Sequence, residues 1–301
     1  MNPLINASER SNQDSTHAMR CLEVWGGNQA VQIVVTVPGI DAWVSSRPFA
    51  GDANGGDVHS ISTCGAGRIS RFAVADVSGH GSAVGEMGGR LRRLMRKHIR
   101  TPDQTVFARA INDEFEKLSH QGEFATALLT TYFAPTAHFI VCNLGQPRPL
   151  WYRSATKTWT WLDQDVPRVA SQVRNLPLGI IAGTGYVQFA ARLGERDLVV
   201  IYTDALTEAR SSDGTLLDEL GLLDLVRQLP IGPPADLGRS ILAVVTAYRG
   251  GCPANDDETI LVLHHNASNP PRHSLGEKLR VMARMLGLGL GGDETASADL
   301  T

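Results

Sequence analysis

Cysteine is scarce: Cys21, Cys64, Cys142 and Cys252 stand far apart along 301 residues, with no paired spacing. That argues against a zinc knuckle or a redox dithiol and fits a reducing compartment, so the four read as core thiols. Long apolar runs are missing too. No stretch approaches the ~18 apolar residues of a membrane span, and the polar opening "MNPLINASERSNQDSTHAMRC" has no secretory apolar segment. The chain is therefore expected in the cytoplasm, away from membranes. Nor does one charge dominate: 28 basic against 31 acidic residues give a formal charge of -3, which disfavours nucleic acid as a partner. There is no internal repeat, no basic stripe and no Gly-rich nucleotide loop.

The chain does have 43% hydrophobic residues, ample for a large core. Residues 1–30, rich in polar residues and without sustained periodicity, read as a flexible N-terminal arm or an edge element. Strand-like runs follow at "VQIVVTV", "RFAVADV", "ATALLTTYFA", "HFIVCNLG", "LWYRSA", "VQFAARL", "DLVVIYT" and "ETILVLHH", several joined by short turns suited to antiparallel pairing. Helical patterns lie between them. One is predicted over Gly88 to Arg100, and a second carries Phe107, Ile111, Phe115 and Leu118 at helical spacing, with Thr101, Pro102 and Gln104 as its start signal. Two more are predicted over Gly221 to Gln228 and Ala235 to Tyr248. A last helix opens at Ser274, capped by Glu277 and carrying a Leu and Met stripe to Leu286, ahead of an acidic, disordered tail. The division is an arm at 1–30, a main domain at 31–266, and a helix with tail at 267–301.

Acids gather where strands end. Asp76 closes "RFAVAD", Asp204 follows "DLVVIYT", Asp256 and Asp257 precede "ETILVLHH", and Asp57 follows the flexible Gly55 and Gly56. Several carboxylates brought to one place repel one another unless a cation compensates, and an oxygen-only set suits Mg2+ or Mn2+ better than zinc. Any one of these acids alone reads more readily as a cap or turn residue, and it is their joint occurrence that points to a shared site.

Seven words occur in order: "GGD" at Gly55 to Asp57, "DVSGHG" at Asp76 to Gly81, "FATALL" at Phe124 to Leu129, "NLGQPRPL" at Asn143 to Leu150, "LPLGI" at Leu176 to Ile180, "YTDALTEAR" at Tyr202 to Arg210 and "NDDETILVL" at Asn255 to Leu263. Together they resemble the metal-dependent serine/threonine protein phosphatases of type 2C, in the bacterial branch of the stage II sporulation phosphatase and the regulators of anti-sigma-factor antagonists. The resemblance implies an α+β fold, a four-layer αββα sandwich of two antiparallel sheets flanked by helices. It implies that Asp57, Asp76, Asp204 and Asp256, with the backbone carbonyl of Val77, hold two Mg2+ or Mn2+ ions, Asp76 bridging them. The implied substrate is phosphoserine or phosphothreonine on a regulatory protein such as an anti-sigma-factor antagonist, under the control of a regulatory partner or a homodimer.

Three departures from the family pattern stand out: Ser60 for a second acid, Gln146 for a His, and Ala205 for a Gly whose loss predicts backbone strain if that position takes positive φ. His80 is read as structural or superficial, since the eukaryotic relatives' catalytic His falls at Ser78. Asp257 is assigned behind the ligand set or to solvent. The rival readings are a phosphatase fold that serves as an inactive binding module, and another two-metal hydrolase such as a nuclease or nucleotidase.

Overall fold

The computed structural model describes residues 15–19, 23–64, 67–79, 82–101, 103–119, 122–163 and 175–268. Cys21, His80, Pro102, the first fourteen residues and the Ser274 to Leu286 helix with its tail lie outside them.

Among the described residues thirteen strands form two sheets. In chain order they are β1 Thr16–Ala18, β2 Val24–Gly27, β3 Val31–Val37, β4 Ile40–Arg47, β5 Val58–Cys64, β6 Ile69–Val77, β7 Ala125–Phe133, β8 His138–Leu144, β9 Leu150–Arg153, β10 Thr158–Trp161, β11 Phe189–Arg192, β12 Leu198–Tyr202 and β13 Glu258–His265. The first sheet runs β1-β3-β4-β13-β12-β9-β10 and the second β11-β8-β7-β6-β5-β2. Pairing is antiparallel throughout except at one edge, where β1 adds to β3 in parallel. The segment ahead of residue 31 thus supplies an edge strand to each sheet.

Among the described residues four helices cover the sheets: α1 Ser82–His98, α2 Gln104–Leu118, α3 Asp218–Arg227 and α4 Pro234–Tyr248. The apolar residues divide into three layers of packing. Val35, Val44 and Ile201 of one sheet meet Phe72, Leu128 and Phe139 of the other in the centre. Leu91, Met95, Phe107, Ile111 and Phe115 of α1 and α2 pack on the outer face of the second sheet, and Leu222, Val226, Leu237 and Ile241 of α3 and α4 on that of the first. This is the four-layer αββα sandwich, each sheet buried on both faces.

Local signals differ from expectation in three places. The cap of α2 is Asp103, whose carboxylate accepts from the backbone N–H of Thr105 at 2.8 Å and of Val106 at 3.0 Å, so Thr101 is not the N-cap. Helix α1 begins six residues before Gly88. Of the described cysteines Cys142 is a core thiol, whereas Cys64 is half-buried and Cys252 exposed.

Candidate metal centre

Four strand ends meet at one end of the sandwich. Asp57 immediately precedes β5, Asp76 lies one residue from the end of β6, Asp204 opens a 3-10 turn at Asp204–Leu206 just beyond β12, and Asp256 sits in the bend before β13. The pairings Val58 with Ala75 and Tyr202 with Ile260 put these ends side by side within each sheet. A hydrogen bond joins the sheets: the Thr203 hydroxyl donates to Asp57 Oδ2 at 2.9 Å. Thr203 is itself held by β13, its N–H donating to the Thr259 carbonyl at 3.0 Å and its Oγ1 accepting from Thr259 N–H at 3.0 Å.

The second oxygen, Asp57 Oδ1, is buried and makes no hydrogen bond. An orphaned carboxylate oxygen in the interior is costly unless a cation meets it. Burial pushes Asp57 well above the usual carboxylate range; the Thr259 and Thr203 hydroxyls oppose the shift, and the charges of Asp257 and Asp204 add to it. Asp76 is raised to about 9, chiefly by burial and then by the charges of Asp57, Asp204, Asp256 and Asp257. Asp204 is raised to about 6 by burial, Glu208 and Asp256. These acids share one field, and without a cation they cannot all ionise near neutral pH.

The backbone is shaped around them. A Cβ on Gly56 would lie 2.9 Å from the Val77 carbonyl oxygen and 2.6 Å from Val84 Cγ1, so only glycine lets the loop before Asp57 pass this close to the end of β6. Among the described residues no group of three or more acidic, histidine or cysteine side chains is placed to hold a metal ion by itself. A dinuclear oxygen site does not need one, because Mg2+ keeps several waters and takes one or two carboxylates from the protein. With a bare Asp57 Oδ1 and hard oxygen donors only, the residues present fit such ions.

Asp257 is neither free nor solvent-facing. It is buried, and its carboxylate accepts from the backbone N–H groups of Phe49 at 2.6 Å and Gly56 at 2.5 Å, which clamps the loop that delivers Asp57. Ala205 does not take positive φ, so the expected strain beside Asp204 is absent. Its carbonyl instead accepts from Arg249 Nη2 at 2.7 Å, while Arg249 Nη1 donates to Glu258 at 2.8 Å, a buried brace under the Asp204 turn. Ser60 is buried on β5 opposite Ala73. Ser78 is tied to Phe124, whose carbonyl accepts from its N–H at 2.9 Å. Gln146 is buried, and Asn143 closes the loop around it with two bonds to its backbone, each 2.9 Å.

Sequence reasoning passed over Thr203, Asn28, Arg249 and Glu258. The only signal for Thr203 was its place beside Asp204 in "YTDA". Asn28 sits in the polar segment assigned to the arm, yet its amide donates to the carbonyls of Gly55 and Gly85, both at 2.9 Å, and so joins the Asp57 loop to α1.

Comparison with known proteins agrees with this architecture. The RsbU and RsbW domains of Rv1364c from Mycobacterium tuberculosis match with a TM-score of 0.64 at 23% identity, over 86% of this chain and 71% of that one. The PP2C phosphatase domain of SpoIIE from Bacillus subtilis, with a fragment of its regulatory domain, matches at 0.61 and 19% identity, over 75% of this chain and 63% of the other. The catalytic domain of the serine/threonine protein phosphatase PstP, in complex with two manganese ions, matches at 0.50 and 16% identity, over 75% and 97%. At these identities the likeness speaks for the fold, that of the PP2C phosphatases. The family model described as Stage II sporulation protein E matches residues 67–266, two thirds of the sequence, and the chain belongs to the SpoIIE family.

Proposed function

We propose that this chain is a serine/threonine phosphoprotein phosphatase in which Asp57, Asp76, Asp204, Asp256 and the carbonyl of Val77 hold two Mg2+ or Mn2+ ions. The observation that carries the reading is the buried, unpartnered Asp57 Oδ1 inside a field of four further carboxylates. The chemistry such ions supply when bound is activation of water and neutralisation of charge on the phosphoryl oxygens during in-line displacement.

The protein's own part is orientation. Thr203 fixes one oxygen of Asp57 and leaves the other bare. Asp257 fixes the loop on which Asp57 rides, and Arg249 fixes the turn that presents Asp204. All three act by locking a carboxylate's position before substrate arrives, and such outer contacts are worth 10- to 100-fold in metal affinity or activity as a rough guide.

The substrate is a phosphorylated regulatory protein of the kind that antagonises an anti-sigma factor. Family membership and the fold likeness to the RsbU and RsbW domains support that reading. Purified protein is expected to hydrolyse an aryl phosphate and a phosphoserine protein with Mn2+ or Mg2+ and to stop in chelator. Undiminished turnover in excess chelator overturns the metal assignment, and selectivity for phosphotyrosine overturns the substrate class.

A further inference from the structure

A cavity of about 390 Å3 opens between α1 and the loop that leads to Asp57, bounded by Asn28, Gln29 and Asn54 on one side and by Arg92, Arg93 and Arg96 on the other. On α1 the positions 85, 89, 92, 93 and 96 share a face at helical spacing. Two of them are glycines. A Cβ at Gly85 would sit 2.7 Å from the Asn54 carbonyl oxygen, and Gly88, just off that face, would strike the Gly55 carbonyl at 2.8 Å, so the helix is held against the loop. Gly89, which lines the hollow, meets nothing nearer than the Arg93 guanidinium at 3.8 Å and puts no side chain into it.

The arginines around this hollow are unspent. Arg90 is paired with Glu86 at 2.6 Å and Lys97 with Glu114 at 2.7 Å, whereas Arg92, Arg93 and Arg96 have no hydrogen bond or ion pair among the described residues. Glu86, the acid in the lining, is taken by Arg90. Three like charges converging on one hollow repel one another, and an anion relieves them.

We infer that this cavity binds the carboxylates of an acidic segment flanking the phosphorylated residue of the protein substrate. The inference rests on the phosphatase reading for the identity of the partner. Placement favours that partner: Asn54 is three residues from Asp57, which at full extension is about 11 Å, so a peptide entering the metal centre passes the hollow within a few residues. A concave site of this size admits one or two acidic side chains, unlike a flat membrane surface. The net charge of -3 over the whole chain makes the patch local and disfavours a nucleic acid.

The test is binding in chelator, which does not depend on turnover. A fluorescent Glu-rich peptide without phosphate is titrated against the full chain by anisotropy, with Arg93→Glu/Arg96→Glu and with Arg192→Glu/Arg227→Glu, a charge-matched pair outside the cavity. Thermal melts check that each variant is folded, and Arg93→Gln/Arg96→Gln replaces the first pair if it is not. The parent is expected to bind in a salt-sensitive way, the cavity pair to bind roughly tenfold more weakly or worse, and the distant pair to bind nearly as the parent does. No binding by the parent, equal loss in both pairs, or complete displacement by millimolar inorganic phosphate overturns the proposal, the last as a small-anion site only. If aryl phosphate hydrolysis fails while peptide binding holds, it is the phosphatase reading that falls, and the reverse pattern removes only this site.

Discussion

Replacing Asp76 with Asn is expected to abolish turnover and yet stabilise the metal-free protein. The carboxyl is raised to about 9 in the folded chain from an ordinary value of 3.8. Between those values the folded state holds a proton that the unfolded state has released, so the contribution of Asp76 to the stability of the metal-free parent is fully present below about pH 4 and is lost as pH rises toward about 9. The slope approaches 1.4 kcal/mol per pH unit, and the accumulated loss at pH 7 is on the order of 4 kcal/mol, an upper bound because Asp57 and Asp204 share the same protons. Asn carries no such cost. With ions at ~100 times Kd the parent regains about 2.7 kcal/mol, which the variant does not, so the gap between the two closes or reverses. Thermal melts of both proteins from pH 5 to 8, in chelator and in millimolar Mn2+, read this directly, at about 2–4 °C per kcal/mol. A variant that melts far below the parent in chelator refutes the reasoning, because Asp76 would then be a structural hydrogen-bonding group.

Three further outcomes follow from particular contacts. Thr203→Val removes the donor to Asp57 while keeping its shape, and Mn2+ affinity measured by titration should fall by roughly 10- to 100-fold with the fold intact. Arg249→Ala leaves Glu258 buried beside the Asp204 turn with only the distant Arg47 at 3.9 Å, and urea unfolding should register a loss of about 3–5 kcal/mol. Gly238→Ala puts a Cβ 2.2 Å from the Trp43 ring on the α4 face, and the same assay should show about 1–3 kcal/mol of destabilisation from overpacking.

The strands most easily read from sequence were the apolar ones, such as β12, in which all five residues are buried. β4 and β5 escaped because "IDAWVSSR" and "VHSISTC" mix serines and threonines into positions that are buried anyway. Both strands lie in sheets covered on both faces, so they lack the alternation that marks a half-exposed strand; Ser46 can lie inside because its hydroxyl pairs with that of Thr259 at 2.8 Å. The first turns of α1 escaped for a related reason. Gly85, ahead of the predicted start at Gly88, is a poor helix former that reads as loop, and it is there because α1 must approach the Asn54 carbonyl.

The placement of Asp57, Asp76, Asp204 and Asp256 at strand ends was legible in the sequence, because a charge there needs a physical reason; their metal role is the proposal made above. Their supports were not legible. Asp257 differs from Asp256 by nothing in the local sequence, and its role as a clamp on Phe49 and Gly56 depends on partners about 200 residues away. Asn28 is likewise a long-range tie between a segment that looks like an arm and two glycine carbonyls.

The most direct measurement is an equilibrium Mn2+ titration followed by electron paramagnetic resonance, on the parent and on Asp57→Asn. A dinuclear centre predicts two ions bound per parent chain, with loss of at least one in the variant. A parent that binds no Mn2+, or a variant that binds as many ions as tightly as the parent, contradicts the account at its centre.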